Sequence, residues 1–432
     1  MGNFRFAMRM LVKEYKKSLF YGLTLVFAIA VTFIFFNIIN NDLLKSPDQV
    51  IGGSSWQQVQ VPFSTVLSFL IICFCCFMIF FANDFFISRK TNEIAIMTLS
   101  GNSSFHSTLY LVYQTFTLLF LATPFGIGIG VITAPICNYW MYQYLEIEAS
   151  IFQIAAMTYL DTILVVAIVL ATLSVFACGY IYRNDIAFLL QQEKSMDLTT
   201  SNSGTIKPLL CICLYFLGII MIFMAKHQPS NYVMPVAVGI LGMVGTIKYF
   251  LPDFVKRFKE RYLLEKRYAL IYISNLSYSI RRSTLLFALI IAFVTGMLVF
   301  IASYHDSPRD YISAIIGYVV VIVLLITSIV YKYCMEVQSR KTFFINLWKI
   351  GYTKSELYHI IHREVLYYYL LLLIIPLVYI LIIVGRFVYY QEMTLLLALV
   401  LVLIYMGSIL ISGLITALNY RKLVTSFYKG GK

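Results

Sequence analysis

Residues 88–101 read SRKTNEIAIMTLSG, and residues 339–351 read SRKTFFINLWKIG. Each has a basic opening, a short and mostly apolar middle, and a closing glycine, and each stands between long apolar runs. The middle of the first, from Glu93 to Leu99, followed by Gly101, predicts a short interfacial helix stopped by glycine. The same polar phrase written twice, about 250 residues apart, predicts an internally duplicated chain.

The flanking runs define the solvent. The chain has 432 residues, 60% hydrophobic and 12% charged, with a mean hydropathy of +0.83; a soluble domain carries about a quarter charged residues. A helix needs about 20 apolar residues to cross a hydrocarbon core of roughly 30 Å, and these runs are too continuous to be alternating barrel strands. The expectation is an all-α polytopic membrane protein with ten transmembrane helices, near 19–39, 63–86, 107–133, 157–181, 208–225, 232–251, 284–303, 311–331, 364–384 and 394–418. The first span follows a basic stretch with no small-residue cleavage site after it, so it reads as a retained helix.

Cationic residues stay on the cytoplasmic side of a membrane. With both termini inside, all of the 33 Lys and Arg except Lys45, Lys226, Arg309 and Arg386 fall on the cytoplasmic segments of this ten-span arrangement. The formal charge of +13 therefore reads as topology and calls for no nucleic-acid partner. The basic stretch 255–268, VKRFKERYLLEKRY, is a second contributor, suited to anionic lipid heads.

The duplication extends beyond the opening phrase. Lys16, Lys17 and Ser18 stand opposite Arg281, Arg282 and Ser283, each group just before an apolar run. Pro124 and Pro376 fall within two residues of alignment. Each half is a basic amphipathic lead-in, a span, an outside loop, a span, the SRKT segment, and two more spans. Both halves start inside, so they read as parallel four-helix repeats joined by a two-helix connector. The expected domains are 1–190 for the first repeat with its lead-in, 191–254 for a polar linker and the connector helices, and 255–432 for the second repeat.

Motifs for chemistry are absent from the sequence. It has no G-x-x-x-x-G-K-[ST] phosphate loop, so ATP hydrolysis is expected on another chain, and neither H-E-x-x-H nor G-x-S-x-G occurs. GIGIG at 126–130 lies in an apolar run, where glycines favour close helix contact over nucleotide binding. Cys73, Cys75 and Cys76 read as small packing residues, and His359 with His362 as an interfacial pair; no metal site is expected. Asp84, Asp161 and Glu364 are the carboxylates that approach the membrane, each near a span end. Two readings compete with an ATP-driven permease: an integral membrane enzyme acting on a lipid or peptide, which needs a cluster of His, Asp or Glu, and an ion-coupled secondary transporter, which needs a midplane carboxylate. Outside loops of about 23 residues at 40–62 and at 134–156 leave no folded domain, so substrate is expected to enter from the bilayer. The 33 Tyr and 34 Phe are expected largely at lipid-facing and interfacial positions.

The SRKTNEIAIMTLSGNSS stretch resembles the cytoplasmic loop of FtsX-like ABC transporter permeases, in which basic residues, Glu-Ile, an apolar stretch and Gly precede a long helix. Ten spans in two units resemble the bacitracin-type exporters of Gram-positive bacteria. The resemblance implies a permease subunit of the cell membrane, coupling a separate ATPase to the export or expulsion of amphipathic peptides or lipid-linked molecules, as in antimicrobial-peptide resistance. It implies two copies of an ABC ATPase subunit that bind ATP and Mg, a sensor histidine kinase as a further partner, and no cofactor in this chain. By matching position, Arg89, Lys90, Glu93 and Gly101, and then Arg340, Lys341 and Gly351, are implied to be the ATPase-coupling residues. The sequence departs from the family in two places. Phe344 stands where the aligned phrase has Glu93, and the large extracellular domain expected between spans seven and eight is replaced by YHDSPRD at 304–310.

Overall fold

The computed structural model describes the chain except for residues 1–2, 14, 42, 44–62, 184–207, 226–228, 263–266, 306, 340 and 430–432. Among the described residues every regular element is helical. They are α1 (Asn3–Lys13), α2 (Tyr15–Asn40), α3 (Phe63–Arg89), α4 (Thr91–Leu99), α5 (Ser104–Leu145), α6 (Ala156–Arg183), α7 (Pro208–Met224) and α8 (Val233–Gly245). A π turn, Thr246–Phe250, leads into α9 (Leu251–Tyr262), and α10 (Arg267–Ser303), α11 (Pro308–Ser339), α12 (Lys341–Lys349), α13 (Lys354–Tyr389) and α14 (Leu395–Lys429) follow.

Nine described helices are long and apolar enough to cross a bilayer. This is a polytopic membrane protein. The segment expected to span at 208–225 is α7, whose 17 residues reach only about 25 Å at 1.5 Å per residue. Helix α10, at 37 residues, outruns its 18-residue apolar stretch 286–303, and α5, at 42 residues, runs well past the span expected at 107–133. The expected loop at 134–156 is correspondingly corrected. Helix α5 continues to Leu145 and only 146–155 connect it to α6. The stop is a left-handed Glu146 at φ 52°, after which the Ile147 N–H donates to the Tyr142 carbonyl at 3.0 Å. Helix α13 ends likewise, with Gln391 at φ 62° and the Glu392 N–H donating to the Phe387 carbonyl at 3.0 Å. Glycine usually supplies this stop; its absence hid both ends. The expected loop at 40–62 lies almost wholly outside the described residues.

The chain divides into two compact units, Met1–Ser201 with Pro308–Gly317, and Asn202–Ser307 with Tyr318–Lys432. In the first, α2 packs against α3, α5 and α6. Gly126 and Gly130, one turn apart on α5, meet Ile29 and Phe33 of α2 so closely that a Cβ on either glycine falls 2.7 Å from those side chains. Gly128 between them faces open space. The GIGIG run is thus a helix-packing face, as its apolar setting predicts. Buried amides add cross-ties: Asn37 Nδ2 donates to Asn138 Oδ1 at 2.9 Å, and Asn41 Nδ2 to the Tyr142 hydroxyl at 2.6 Å. Asp161, one of the carboxylates singled out above, accepts from Asn40 Nδ2 at 2.7 Å.

In the second unit α7 and α8 form a glycine-lined hairpin. Gly218 abuts Gly239, and Gly242 abuts the backbone of Tyr215. The Tyr379 hydroxyl fills the space beside Gly239 and donates to the Pro235 carbonyl at 2.9 Å. Tyrosines repeatedly serve as interhelical ties: Tyr318 donates to the Leu401 carbonyl at 3.0 Å and Tyr405 to the Leu372 carbonyl at 2.9 Å. The expectation of a mainly peripheral aromatic population is corrected for tyrosine, whereas many phenylalanines, among them Phe69, Phe120, Phe125 and Phe152, are exposed. Tyr21, Tyr110, Tyr232, Tyr318, Tyr331 and Tyr333 are among the largest fully buried side chains. At Tyr318, Tyr379 and Tyr405 the ring fills interhelical volume while its hydroxyl satisfies a carbonyl that lipid cannot.

Replacing Gly126 by Val is expected to cost about 1–3 kcal/mol, through forced separation of α2 and α5. Gly128→Ala is expected to be neutral or slightly stabilising, since alanine favours the helix by about 0.5–1 kcal/mol. Thermal unfolding of the purified protein in detergent checks both; equal losses at the two positions would refute the packing assignment.

Candidate functional site

The two SRKT segments become α4 and α12, each of nine residues. Both stop in the same way. After α4 the Gly101 N–H donates to the Thr98 carbonyl at 3.1 Å and the Asn102 N–H to the Met97 carbonyl at 3.2 Å. After α12 the Gly351 N–H donates to Trp348 at 2.9 Å and the Tyr352 N–H to Leu347 at 3.2 Å. Gly101 has φ +88° and Gly351 φ +105°, the left-handed turn of a Schellman cap that residues with a Cβ adopt only at a cost. Two residues beyond each glycine the next helix is capped. Ser103 accepts from the His106 N–H, and Thr353 accepts from the Glu356 N–H, while Glu356 Oε2 accepts from the Thr353 N–H at 2.7 Å.

Counting back from the glycines corrects one pairing. Glu93 stands opposite Phe343, not Phe344, because the single-residue offset between the phrases falls before the helix rather than within it. Burial agrees: Ile94 and Phe344 are the inward residues at 0% and 2% exposure, and Met97 and Leu347 follow at 9% and 8%.

Lys90 is the corner between α3 and α4. Its N–H donates to the Ile87 carbonyl at 2.8 Å, and its own carbonyl accepts the Ile94 N–H at 3.0 Å. Its side chain is only 2% exposed, and Nζ meets both Glu93 oxygens, at 2.9 and 3.1 Å. Glu93 Oε2 accepts from the Tyr110 hydroxyl at 2.5 Å; Gln114 Nε2 donates to that hydroxyl at 2.8 Å and to the Ala7 carbonyl at 3.3 Å. Below this network Ile94, Ala95 and Met97 pack with Ala7, Tyr110, Leu111, Ala177 and Ile181. Of the polar residues of the phrase, Lys90 and Glu93 thus face inward and fix the helix. Its outer face is apolar: Ile96 and Leu99 are 62% and 63% exposed. Among the described side chains of α12 the exposed ones are Phe343, Asn346, Trp348 and Lys349, with Ile350 just after it. The backbones of Arg89 and Lys341 end α3 and begin α12, and Arg340 lies outside the described residues.

The other candidates are accounted for. His359 and His362 line a cleft with Tyr268, Ser355, Glu356 and Tyr358, in which Glu356 is engaged by the Thr353 N–H and the Tyr268 hydroxyl. Among the described residues no group of three His, Cys, Asp or Glu is placed to hold a metal ion. Glu364 is 1% exposed and accepts from Asn275 Nδ2 at 3.1 Å. Lys332 was counted with the cytoplasmic cations, yet it is fully buried. Its Nζ donates to the Ser279 carbonyl at 3.1 Å and to Ser283 Oγ, and lies 5.2 Å from the Tyr368 ring centroid. A lysine at the end of an apolar run reads as interfacial; only the packing of α10, α11 and α13 turns it inward.

Residues 65–185, which run from α3 to α6 and contain α4, match the family described as FtsX-like permease C-terminal. This segment is similar to the FtsX-like permease family. The chain is also 27% identical over 247 residues to an uncharacterized ABC transporter permease of Bacillus subtilis, YvcS. That alignment covers 56% of this chain and 36% of the relative, so the chain matches about a third of that protein's length.

In the segment that matches this family, the ion pair of Lys90 and Glu93 yields a test. Glu93→Leu leaves the Lys90 ammonium without its carboxylate and is expected to destabilise the protein by about 3 kcal/mol, whereas Lys90→Met with Glu93→Leu regains most of the loss. Thermal unfolding of the two single variants and the double variant measures the coupling; additive effects would remove the pair's structural role.

Proposed function

We propose that the chain is the permease subunit of an ABC transporter, driven by a separate ATPase that docks on α4 and α12. The observation that carries this reading is the pair of short helices, alike in length, glycine cap and following N-cap, one of them inside the FtsX-like domain. Docking elements that occur twice suit a symmetric partner with two equivalent sockets. The reading includes ten spans as two parallel four-helix repeats at 1–190 and 255–432, with the linker and connector helices at 191–254. Both termini lie in the cytoplasm, and one chain binds two ATPase subunits carrying ATP and Mg. The left-handed stops at Glu146 and Gln391, each ending the long helix after a short one, support the duplication.

Within this arrangement the coupling residues divide their work. Ile96 and Leu99 on one side, and Phe343, Trp348 and Ile350 on the other, supply the contact surface. Lys90 and Glu93 hold α4 rigid, Gly101 passes the motion of α4 to α5, and Gly351 that of α12 to α13. Arg89, Arg340 and Lys341 add charge at the start of each element. For cargo, the reading is an amphipathic peptide or lipid-linked molecule entering sideways. The connections at 146–155 and 304–307 are too short to hold a ligand-capturing domain, and the helices present many exposed apolar side chains.

Native mass spectrometry of the purified complex is expected to find one chain with two ATPase subunits; two chains with two ATPases would overturn the duplicated-permease reading. Gly101→Val places a β-branched residue at φ +88°, at a cost of about 1–2 kcal/mol. It is expected to leave ATP hydrolysis running while transport falls, with Gly101→Asn close to wild type because asparagine tolerates the left-handed region. Both rates measured in proteoliposomes decide it, and full coupling in Gly101→Val would deny the glycine this role.

A further inference from the structure

Helix α1 has two unlike sides. Arg5, Arg9 and Lys13 are all exposed and recur at intervals of four, so they form one stripe along the helix. Ala7 and Leu11, at 0% and 9% exposure, lie opposite and pack inward. The helix is seated by α5: the Phe4 ring stands edge-on to Tyr113 at 5.5 Å, Phe6 lies 5.7 Å from Tyr110, and the Thr117 hydroxyl meets Met8 Sδ at 3.4 Å. The first membrane span begins at Ser18, five residues after Lys13. Even a fully extended link of that length reaches only about 17 Å, so the stripe is held beside a bilayer surface.

We propose that α1 is a receptor for the anionic phospholipid headgroups of that surface, and that its seating is passed to α4 through a buried hydrogen-bonded chain. The links run from the Ala7 carbonyl to Gln114, from Gln114 to the Tyr110 hydroxyl, and from there to Glu93 and Lys90 at the corner of α4. Each intermediate side chain touches both neighbours, and Ala7 shares one apolar cluster with Ile94 and Ala95 of α4. Displacing α1 by one residue's rise, about 1.5 Å, breaks the 3.3 Å contact to Gln114 and opens that cluster. The covalent tie to the span favours lipid over a soluble acidic partner, because the cations stand near phosphate depth whether or not another protein is present. Phe4 and Val12, at 51% and 65% exposure, give the helix apolar flanks of the kind that interfacial helices insert. Control of ATPase docking by lipid rests on the permease reading above; lipid capture by α1 and its transmission to α4 do not.

Hydrogen exchange of the full chain in nanodiscs tests both parts without an ATPase. Nanodiscs of phosphatidylcholine alone are compared with phosphatidylcholine containing phosphatidylglycerol. The expected result is slower exchange in α1 and in α4 with the anionic lipid, reversed by high salt. The variant with Arg5→Gln, Arg9→Gln and Lys13→Gln is expected to bind phosphatidylglycerol on the order of a hundredfold more weakly, at about fivefold per cation. Tyr110→Phe is expected to keep the response of α1 and lose that of α4. Equal exchange in the two lipids, or an unchanged response in the triple variant, would overturn the lipid site. A wild-type response confined to α1 would overturn the relay. Protection of α1 that needs an added soluble protein rather than phosphatidylglycerol would assign the stripe to that protein and refute the proposal.

Discussion

A backbone carbonyl inside a bilayer has no water to accept from, so every peptide group at that depth must be satisfied by the chain itself. That constraint makes the described chain helical throughout and makes each interruption an event that needs its own chemistry. The two interruptions that matter, at Gly101 and Gly351, are closed by the same pair of hydrogen bonds and followed at once by a side-chain cap on the next helix. The short helices they end are therefore neither loops nor frayed turns. Schellman bonds close their C-terminal turns, and the N-cap of the following long helix stands two residues beyond each glycine.

Helices in lipid gain nothing from the hydrophobic effect by meeting one another, so close approach and polar ties decide how they pair. The first unit uses Gly126 and Gly130 against α2, reinforced by buried asparagines; the second uses the glycine seam of α7 and α8, with Tyr379 wedged beside Gly239. Tyrosine suits this setting because its ring fills space and its hydroxyl reaches a carbonyl on the next helix. The many buried tyrosines are a packing device, and they account for a composition that otherwise reads as an aromatic belt.

The basic and acidic residues of the first SRKT phrase change meaning once they are placed. Lys90 and Glu93 spend their charges on each other and on Tyr110, inside the unit, and leave an aliphatic face on α4. On α12 the exposed face carries Phe343, Trp348 and Lys349 instead. Two elements alike in backbone thus present unlike chemistry. Burying an ion pair adds little stability over an apolar pair of the same size, but it penalises any arrangement that separates the charges, and that suits an element whose position matters.

The sequence by itself determined the membrane class, most of the helical segments, the two short helices and their glycine stops, because hydropathy, length and positive φ at glycine are local properties that composition and spacing express directly. It also marked the GIGIG run as a packing face. Where α5 and α13 end was not legible, since Glu146 and Gln391 take the left-handed turn without the residue that announces it. Nor was the direction in which Lys90, Glu93 and Lys332 point. A cation near the end of an apolar run satisfies the same pattern whether it turns to headgroups or inward. Only the helices packed around it decide, here by offering Glu93 to Lys90 and the oxygens of Ser279 and Ser283 to Lys332. Tyr110 on α5 holds Glu93, and Ser279 and Ser283 on α10 hold Lys332, partners that lie well away in the chain, and for that reason these directions belong to the tertiary structure.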